Sequence, residues 1–333
     1  MSADQQVTAR MVRFDRFGGD DVLHVSRLGV SAPDALQVSV AVAAAGVNPV
    51  DVRIRSGRYP GVGEDRLPYT LGRDVAGVVV ECGAQAEKFS VGDAVFGMVD
   101  MHGGGYAERV VVDQHALTTT PAGVDAVRAG SIPTAGLTAW QGLFRYGRVS
   151  AGSTVLVQGG TGGVGHFAIQ FAKAAGARVI ATTSTPHVAF ARELGADVVI
   201  DYETQDLSGV TGVDVVLDLV GGAARAASWA VLVPGGVLVT TRDAPSEEEA
   251  RAHGVRALRF TVEADGAELA EIAGLVAAGT VTPHISATHP LEQAAAVLAD
   301  IESGHTVGKV VLEVDPGSTD FGITDPGSAE LGS

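Results

Sequence analysis

The sequence predicts an α/β protein in which a doubly wound parallel sheet is inserted between two parts of a β-rich domain. Three observations lead there. The first 120 or so residues are mostly short β-branched runs; from about Val127 apolar strands alternate with helices around a glycine-rich turn; and a late apolar strand, "KVVLEV", most simply rejoins the first part.

In chain order, "LQVSVAVAAAGV" (Leu36–Val47), "VAGVVVECG" (Val75–Gly83), "VGDAVFGMV" and "AERVVVD" (Ala107–Asp113) read as strands separated by Gly, Pro and Asp clusters. "STVLVQG" is then an apolar strand, "GHFAIQFAKAAG" a helix with apolar residues at helical spacing, and "ARVIATT" a second strand. "HVAFARELG" is a helix closed by Gly195; "DVVID", "VDVVLDLVG", "GGVLVTT" and "ALRFTVE" continue as strands. Apolar strands alternating with helices imply a parallel sheet covered on both faces. The helices "GAELAEIAGLVAAG" and "PLEQAAAVLADIESG" precede the closing strand. After Val314 the chain is rich in Gly, Ser, Pro and Asp and shows no periodic apolar face, so disorder is predicted there.

Composition narrows the function. The chain has 333 residues, 46% of them hydrophobic, enough for two domains with a substantial core. A net charge of −16 disfavours binding to nucleic acid or an anionic membrane through the general field. Cys82 is the only cysteine, which excludes intramolecular disulfides and multi-cysteine zinc sites. No secretory signal and no run long and apolar enough to span a membrane is visible, so a cytoplasmic protein is expected.

Chemistry concentrates in "VLVQGGTGGVGHFAIQFAKAAGARVIATTS" (Val155–Ser184). Gly160, Gly162 and Gly165 form G-x-G-x-x-G, with Thr161, Gly163 and Val164 between them, after a strand and at the opening of a helix. In that context the glycines permit a tight turn and close backbone approach, and the helix-start N–H groups face a pyrophosphate. The second strand ends on Thr182, Thr183 and Ser184 rather than on an acid. A carboxylate there would accept from a free ribose 2′-hydroxyl and repel a 2′-phosphate, so its absence points to NADP(H), although no Arg or Lys stands beside it.

Several blocks in order resemble the medium-chain dehydrogenases/reductases, in their zinc-free quinone oxidoreductase branch. They are "AAGVNPVDVRIRSGRYP" (Ala44–Pro60), "LPYTLGRDVAGVV" (Leu67–Val79), "GGYAE" (Gly104–Glu108), "IPTAGLTAW" (Ile132–Trp140), "VQGGTGGVG" (Val157–Gly165), "LGADVVIDY" (Leu194–Tyr202) and "SGHTVGKVVLEV" (Ser303–Val314). The resemblance implies a Rossmann cofactor domain over 127–266, inserted in a GroES-like catalytic domain over 1–126 and 267–314, with 315–333 as a tail. Where zinc alcohol dehydrogenases of the family carry metal ligands, this chain aligns Asn48, Arg73–Asp74 and the Thr134–Gly136 stretch, which supply neither thiolate nor imidazole. His102 and His166 show no ligand spacing, so no metal is expected.

The resemblance also suggests roles. Asn48 would lie at the cleft floor and donate to a developing oxyanion, or else stabilise a turn. Tyr59 would line the substrate pocket, with proton donation a lesser role. Thr138 would stand near the nicotinamide, or be silent in its helix. Tyr202 would approach the adenosine 2′-phosphate; Val220, Phe260 and Lys309 would meet the nicotinamide half or the cleft rim, with a core role open for Phe260. Asp51, Arg53 and Arg55 read as an ion-paired loop cluster, with Arg53 and Arg73 open to an anionic substrate. The implied activity is NADPH-dependent reduction of a quinone or an α,β-unsaturated carbonyl, substrates electron-poor enough to accept hydride without a Lewis acid. The alternatives are a cyclase or isomerase of this family, or a non-catalytic NADPH-binding or RNA-binding regulator. A homodimer is expected, with "GGVLVTT" as a candidate interface edge.

Overall fold

The structure, a computed structural model, describes residues 7–101, 104–304 and 306–315. The predicted disordered tail falls outside them except for Asp315, as does His102. Among the described residues the strands form three sheets.

The apolar strands after Val127 pair in parallel because each is covered on both faces. Their order across the sheet is Val198–Asp201, Arg178–Thr183, Thr154–Gln158, Val213–Asp218, Leu232–Thr240, Arg256–Arg259. The chain steps outward in one direction from Thr154–Gln158, then returns and steps outward in the other. The reversal leaves a crevice at the C-terminal ends of Thr154–Gln158 and Val213–Asp218, where a doubly wound sheet binds its ligand. "GGVLVTT" is not an edge: Leu232–Thr240 lies between Val213–Asp218 and Arg256–Arg259. The short, arginine-flanked Arg256–Arg259 takes the edge instead, as charged edge strands commonly do.

In the β-rich part, the long strand Gln37–Gly46 pairs antiparallel with Asp74–Cys82, Arg109–Asp113 and Lys309–Glu313. The closing strand thus returns to the first part of the chain. A strand at Ile285–Pro290, not predicted, lies parallel to it. A smaller sheet joins His24–Gly29, Thr8–Phe14 and Tyr69–Thr70. The two halves share apolar packing: Ala76, Phe96 and Met98 of the antiparallel sheet fall in one buried cluster with Val155, Val157 and Phe167. That shared core sets the two sheets in fixed register across the crevice. No helix among the described residues is long and apolar enough to cross a membrane.

Candidate active site

The glycine loop is shaped by what its positions exclude. A Cβ on Gly165, the first residue of helix Gly165–Ala174, would lie 2.1 Å from the Gly159 carbonyl oxygen, and one on Gly160 would lie 2.9 Å from Ala181 Cβ. These two glycines let helix, turn and strand pack at backbone distance. Gly162 and Gly163 differ: a Cβ on Gly162 would meet only the Gly159 carbonyl oxygen, at 3.5 Å, whereas one on Gly163 would press on the Gly308 carbonyl oxygen and Lys309 Cδ, both at 3.3 Å. The loop is tied to the second strand by Gly160 N–H to the Thr182 carbonyl (2.9 Å) and Gly159 N–H to Thr182 Oγ1 (3.1 Å). Thr161 and Thr183 share a hydroxyl–hydroxyl bond of 2.7 Å. Val164 caps the helix start and packs on the shared core. Val220, 47% exposed, stands beside Gly159 at the crevice, on a turn whose N–H groups at Val220 and Gly221 are accepted by Asp218.

The ribose corner departs from the expectation in two ways. Thr183 is buried, and its hydroxyl shares a bond with Thr161 that braces the loop. Asp201, level with Thr183 in the neighbouring strand, brings a carboxylate close by, but it accepts from Thr185 Oγ1, Thr204 Oγ1 and Glu203 N–H. Those bonds hold Asp201 below the usual carboxylate range, the Thr185 hydroxyl first. Glu203 in turn accepts from Thr185 N–H (3.2 Å). Ser184 remains half-buried and Tyr202, at 61% exposure, stands open at the rim with its N–H on the Thr183 carbonyl.

The opposite wall is a buried polar cluster. Asn48 begins the short helix Pro49–Arg55, where proline fixes the first turn and Asp51 reaches back to accept from Asn48 N–H (2.9 Å). Asn48 Nδ2 donates to Asp74 (2.9 Å) and to the Gly46 carbonyl (3.3 Å), while its Oδ1 accepts from Lys309 Nζ (2.5 Å). Both amide hydrogens are therefore engaged, and the expected oxyanion donor becomes an organiser of the floor. Asp74 also accepts from Thr134 N–H (2.7 Å) and its hydroxyl (2.5 Å). Thr138 lies one turn further along helix Pro133–Trp140 and donates to the Thr134 carbonyl, which leaves its hydroxyl only acceptor capacity.

The structure places the other residues singled out in the sequence as follows. Lys309 is 2% exposed, with its ammonium turned to Asn48 rather than to the cleft rim. Burial lowers its proton affinity, partly offset by Asp74 and Asp51. Asp51 makes no ion pair with Arg53 or Arg55; it is fully buried, bonded by the Tyr106 hydroxyl (2.7 Å), and burial raises its pKa to about 6. Arg55 pairs instead with Asp20 and Glu302. Arg73 is buried and donates to the Val99 carbonyl (2.8 Å) and to the Met101 sulfur. Phe260 is a core residue against Tyr146 and Gly142. Tyr59 is half-buried on the packed face of the catalytic domain.

One contact had no counterpart in the expectations. His166, fully buried in the helix after the loop, meets the Gly162 carbonyl through Nδ1 (3.1 Å) and accepts from His284 N–H through Nε2 (3.2 Å). This pairing requires the neutral ring with its proton on Nδ1, and burial lowers its pKa to about 3. Gln170 fastens Thr282 with two bonds, and Gly308 N–H donates to the Thr161 carbonyl (2.9 Å). The returning segment is thereby latched onto the cofactor loop.

Fold and loop together define the class, an oxidoreductase that uses a nicotinamide dinucleotide. The alcohol dehydrogenase GroES-like domain family matches residues 34–122, and the zinc-binding dehydrogenase family residues 194–312. A quinone oxidoreductase of Lama guanicoe is 32% identical, over 93% of this chain and 99% of that protein. The NADPH-dependent alkenal/one oxidoreductase, chloroplastic, of Arabidopsis thaliana is 32% identical, over 94% of this chain and 82% of that one. The solved quinone oxidoreductase from Coxiella burnetii superposes with a TM-score of 0.86 at 32% identity, covering 93% of this chain and all (100%) of that one. The chain belongs to the medium-chain dehydrogenase/reductase family, in its quinone-oxidoreductase-like branch.

The zinc in one matching family's description does not fit the residues present. Asn48, Asp74 and Thr134 are bonded to one another and to Lys309. Among the described residues no group of three or more His, Cys, Asp or Glu is placed to hold a metal.

Proposed function

We propose that the protein is an NADPH-dependent reductase of quinones or α,β-unsaturated carbonyls, working in a metal-free cleft between its domains. The observation that carries this is a glycine loop that packs at backbone distance at the start of a helix, opposite a floor built on the Lys309 ammonium and the Asn48 amide instead of metal ligands. The pyrophosphate would lie on the N–H groups of the loop and helix start, with Val220 flanking the crevice and Ser184 and Tyr202 at the ribose corner. When bound, the dinucleotide supplies hydride chemistry that the side chains cannot. The chain holds the acceptor in line, keeps water from the apolar face of the crevice, and lines the pocket with Tyr59, whose phenol hydrogen-bonds the acceptor's oxygen; solvent supplies the proton. A substrate already electron-poor needs no stronger electrophile.

NADPH over NADH is supported by the second strand's lack of a terminal carboxylate and by the engagement of Asp201 in its own turn. No cation joins the corner in the bonds described above, so the preference should be modest. The same reading makes the enzyme cytoplasmic and a homodimer, with Arg256–Arg259 rather than "GGVLVTT" as the free sheet edge. Loss of reduced-nicotinamide absorbance with a panel of quinones, enones and enoyl thioesters tests the reaction. Absence of NADPH binding by calorimetry would end the proposal.

A further inference from the structure

Asn48, Asp74 and Thr134, where a metal's ligands would align, have not merely lost donor atoms. They close around a side chain that arrives from the far end of the sequence. Lys309 Nζ donates to the Val47 carbonyl (2.7 Å) and Asn48 Oδ1 (2.5 Å) and stands 3.7 Å from Asp74 Oδ2. Lys309 is 2% exposed and Asp74 0%. The stem of the same lysine passes the glycine loop, with its Cδ 3.3 Å from where a Cβ on Gly163 would stand, and the preceding Gly308 N–H holds the Thr161 carbonyl. One residue thus touches the cofactor loop with its methylenes and the catalytic floor with its charge.

We propose that the Lys309 ammonium occupies the cation position of this cleft, a chain-borne charge that orders Asn48 and Asp74, sets the floor's distance from the glycine loop, and closes the site to zinc. Lys309 is on this account a positioning residue. A buried carboxylate such as Asp74 needs a compensating charge, and the ammonium supplies it. A divalent ion at the same place would meet a positive charge at contact distance. The Asp51 carboxyl, bonded to Tyr106, holds the Asn48 backbone N–H, while Nδ2 on Asp74 and Oδ1 on Lys309 give the side-chain amide a single orientation.

The activity readouts below rest on the proposed reductase; the binding readouts do not, so the two can fail separately. Wild-type protein dialysed against zinc should retain none by elemental analysis, and chelators should leave its melting temperature and turnover unchanged. Retention of one zinc per chain, lost on Asp74→Asn, would overturn the proposal. Lys309→Ala should lower kcat roughly 10- to 100-fold with a smaller change in cofactor KM, because misplacing a floor acts on the reacting geometry. Ethylammonium should restore both kcat and melting temperature of Lys309→Ala, and ethanol of similar size should restore neither. Equal effects of the two additives, or wild-type kcat in Lys309→Met, would show that the charge has no organising role. If Lys309→Ala does not fold, refolding with ethylammonium replaces the rescue assay, and the zinc measurement on wild type stands alone.

Discussion

The two walls of the cleft are built on opposite plans. The cofactor wall is backbone: glycines remove side chains so that helix, turn and strand approach, and at Gly162 a Cβ would meet only the loop's own Gly159 carbonyl oxygen. The floor is side chain: Asn48, Asp51, Asp74, Tyr106 and Lys309 fill it with buried bonds and leave little free. A backbone cradle suits a ligand that brings its own charge and chemistry. A filled polar floor suits holding a geometry, since its amide, hydroxyl and ammonium are already bonded to their neighbours. The division of labour in the proposed metal-free reductase follows from that contrast.

The contrast breaks most visibly at Asp74. Asp74→Ala should strand the Lys309 charge and cost about 3–5 kcal/mol, the range for removing one partner of a buried ion pair, read by urea unfolding. On the other wall, Gly165→Ala forces a Cβ to 2.1 Å from a carbonyl oxygen. Overpacking of this kind costs about 1–3 kcal/mol, and NADPH affinity by fluorescence titration should fall with the melting temperature. Unchanged affinity would show that the loop does not need helix contact at that glycine.

Acid separates the walls by sign. His166 has a folded pKa of about 3 against its ordinary 6.5, so the unfolded chain takes the proton and stability is lost as pH falls through that interval. Asp51 is the reverse, about 6 folded against 3.8, so it adds stability as pH falls from about 6 toward 3.8. Each contributes at most about 1.4 kcal/mol per pH unit, and they oppose where they overlap. Relative to wild type, Asp51→Asn should steepen the acid loss and His166→Gln should flatten it, by denaturant titration at stepped pH. The smallest effects belong to the rim. Tyr202→Ala should leave stability within about 0.5 kcal/mol, and the kcat/KM ratio of NADPH to NADH should start below about 100-fold, one charge-assisted hydrogen bond's worth, and drop further. A much larger wild-type ratio would demand a cation that this corner does not show.

How far the sequence speaks differs between the walls for the same reason. The loop's constraints lie within the stretch from Gly159 to Gly165, so a local pattern carries them. The strand alternation that buries Thr183 and sets its hydroxyl on Thr161 requires knowing which strand neighbours which. The floor joins Lys309 to Asn48 across 261 positions and Tyr106 to Asp51 across 55, and no spacing rule reaches that far. Asn48 shows the limit well: the residue type was right for the place, but an amide's free hydrogens depend on neighbours that only the fold supplies. "ALRFTVE" already reads as the strand after "GGVLVTT", but only the fold shows that its Arg256–Arg259 pairs alongside and covers that edge. His166 had one available sign. It sits in a helix whose residues from Gly165 to Ala172 are all buried, where a solvent-facing histidine has no place.

The bond from Lys309 to the Val47 carbonyl, spanning 262 positions, also orders events in time. Synthesis at about 5–20 residues per second puts tens of seconds between the two ends of that contact. Until then Asn48 and Asp74 face an empty polar hollow, while the parallel sheet, with its shorter-range pairings, has all its strands in hand. A nascent chain can therefore own a dinucleotide cradle before it owns a reaction chamber. The final strand acts as a completion mark, and the ribosome must deliver almost the whole described chain before hydride has anywhere to go.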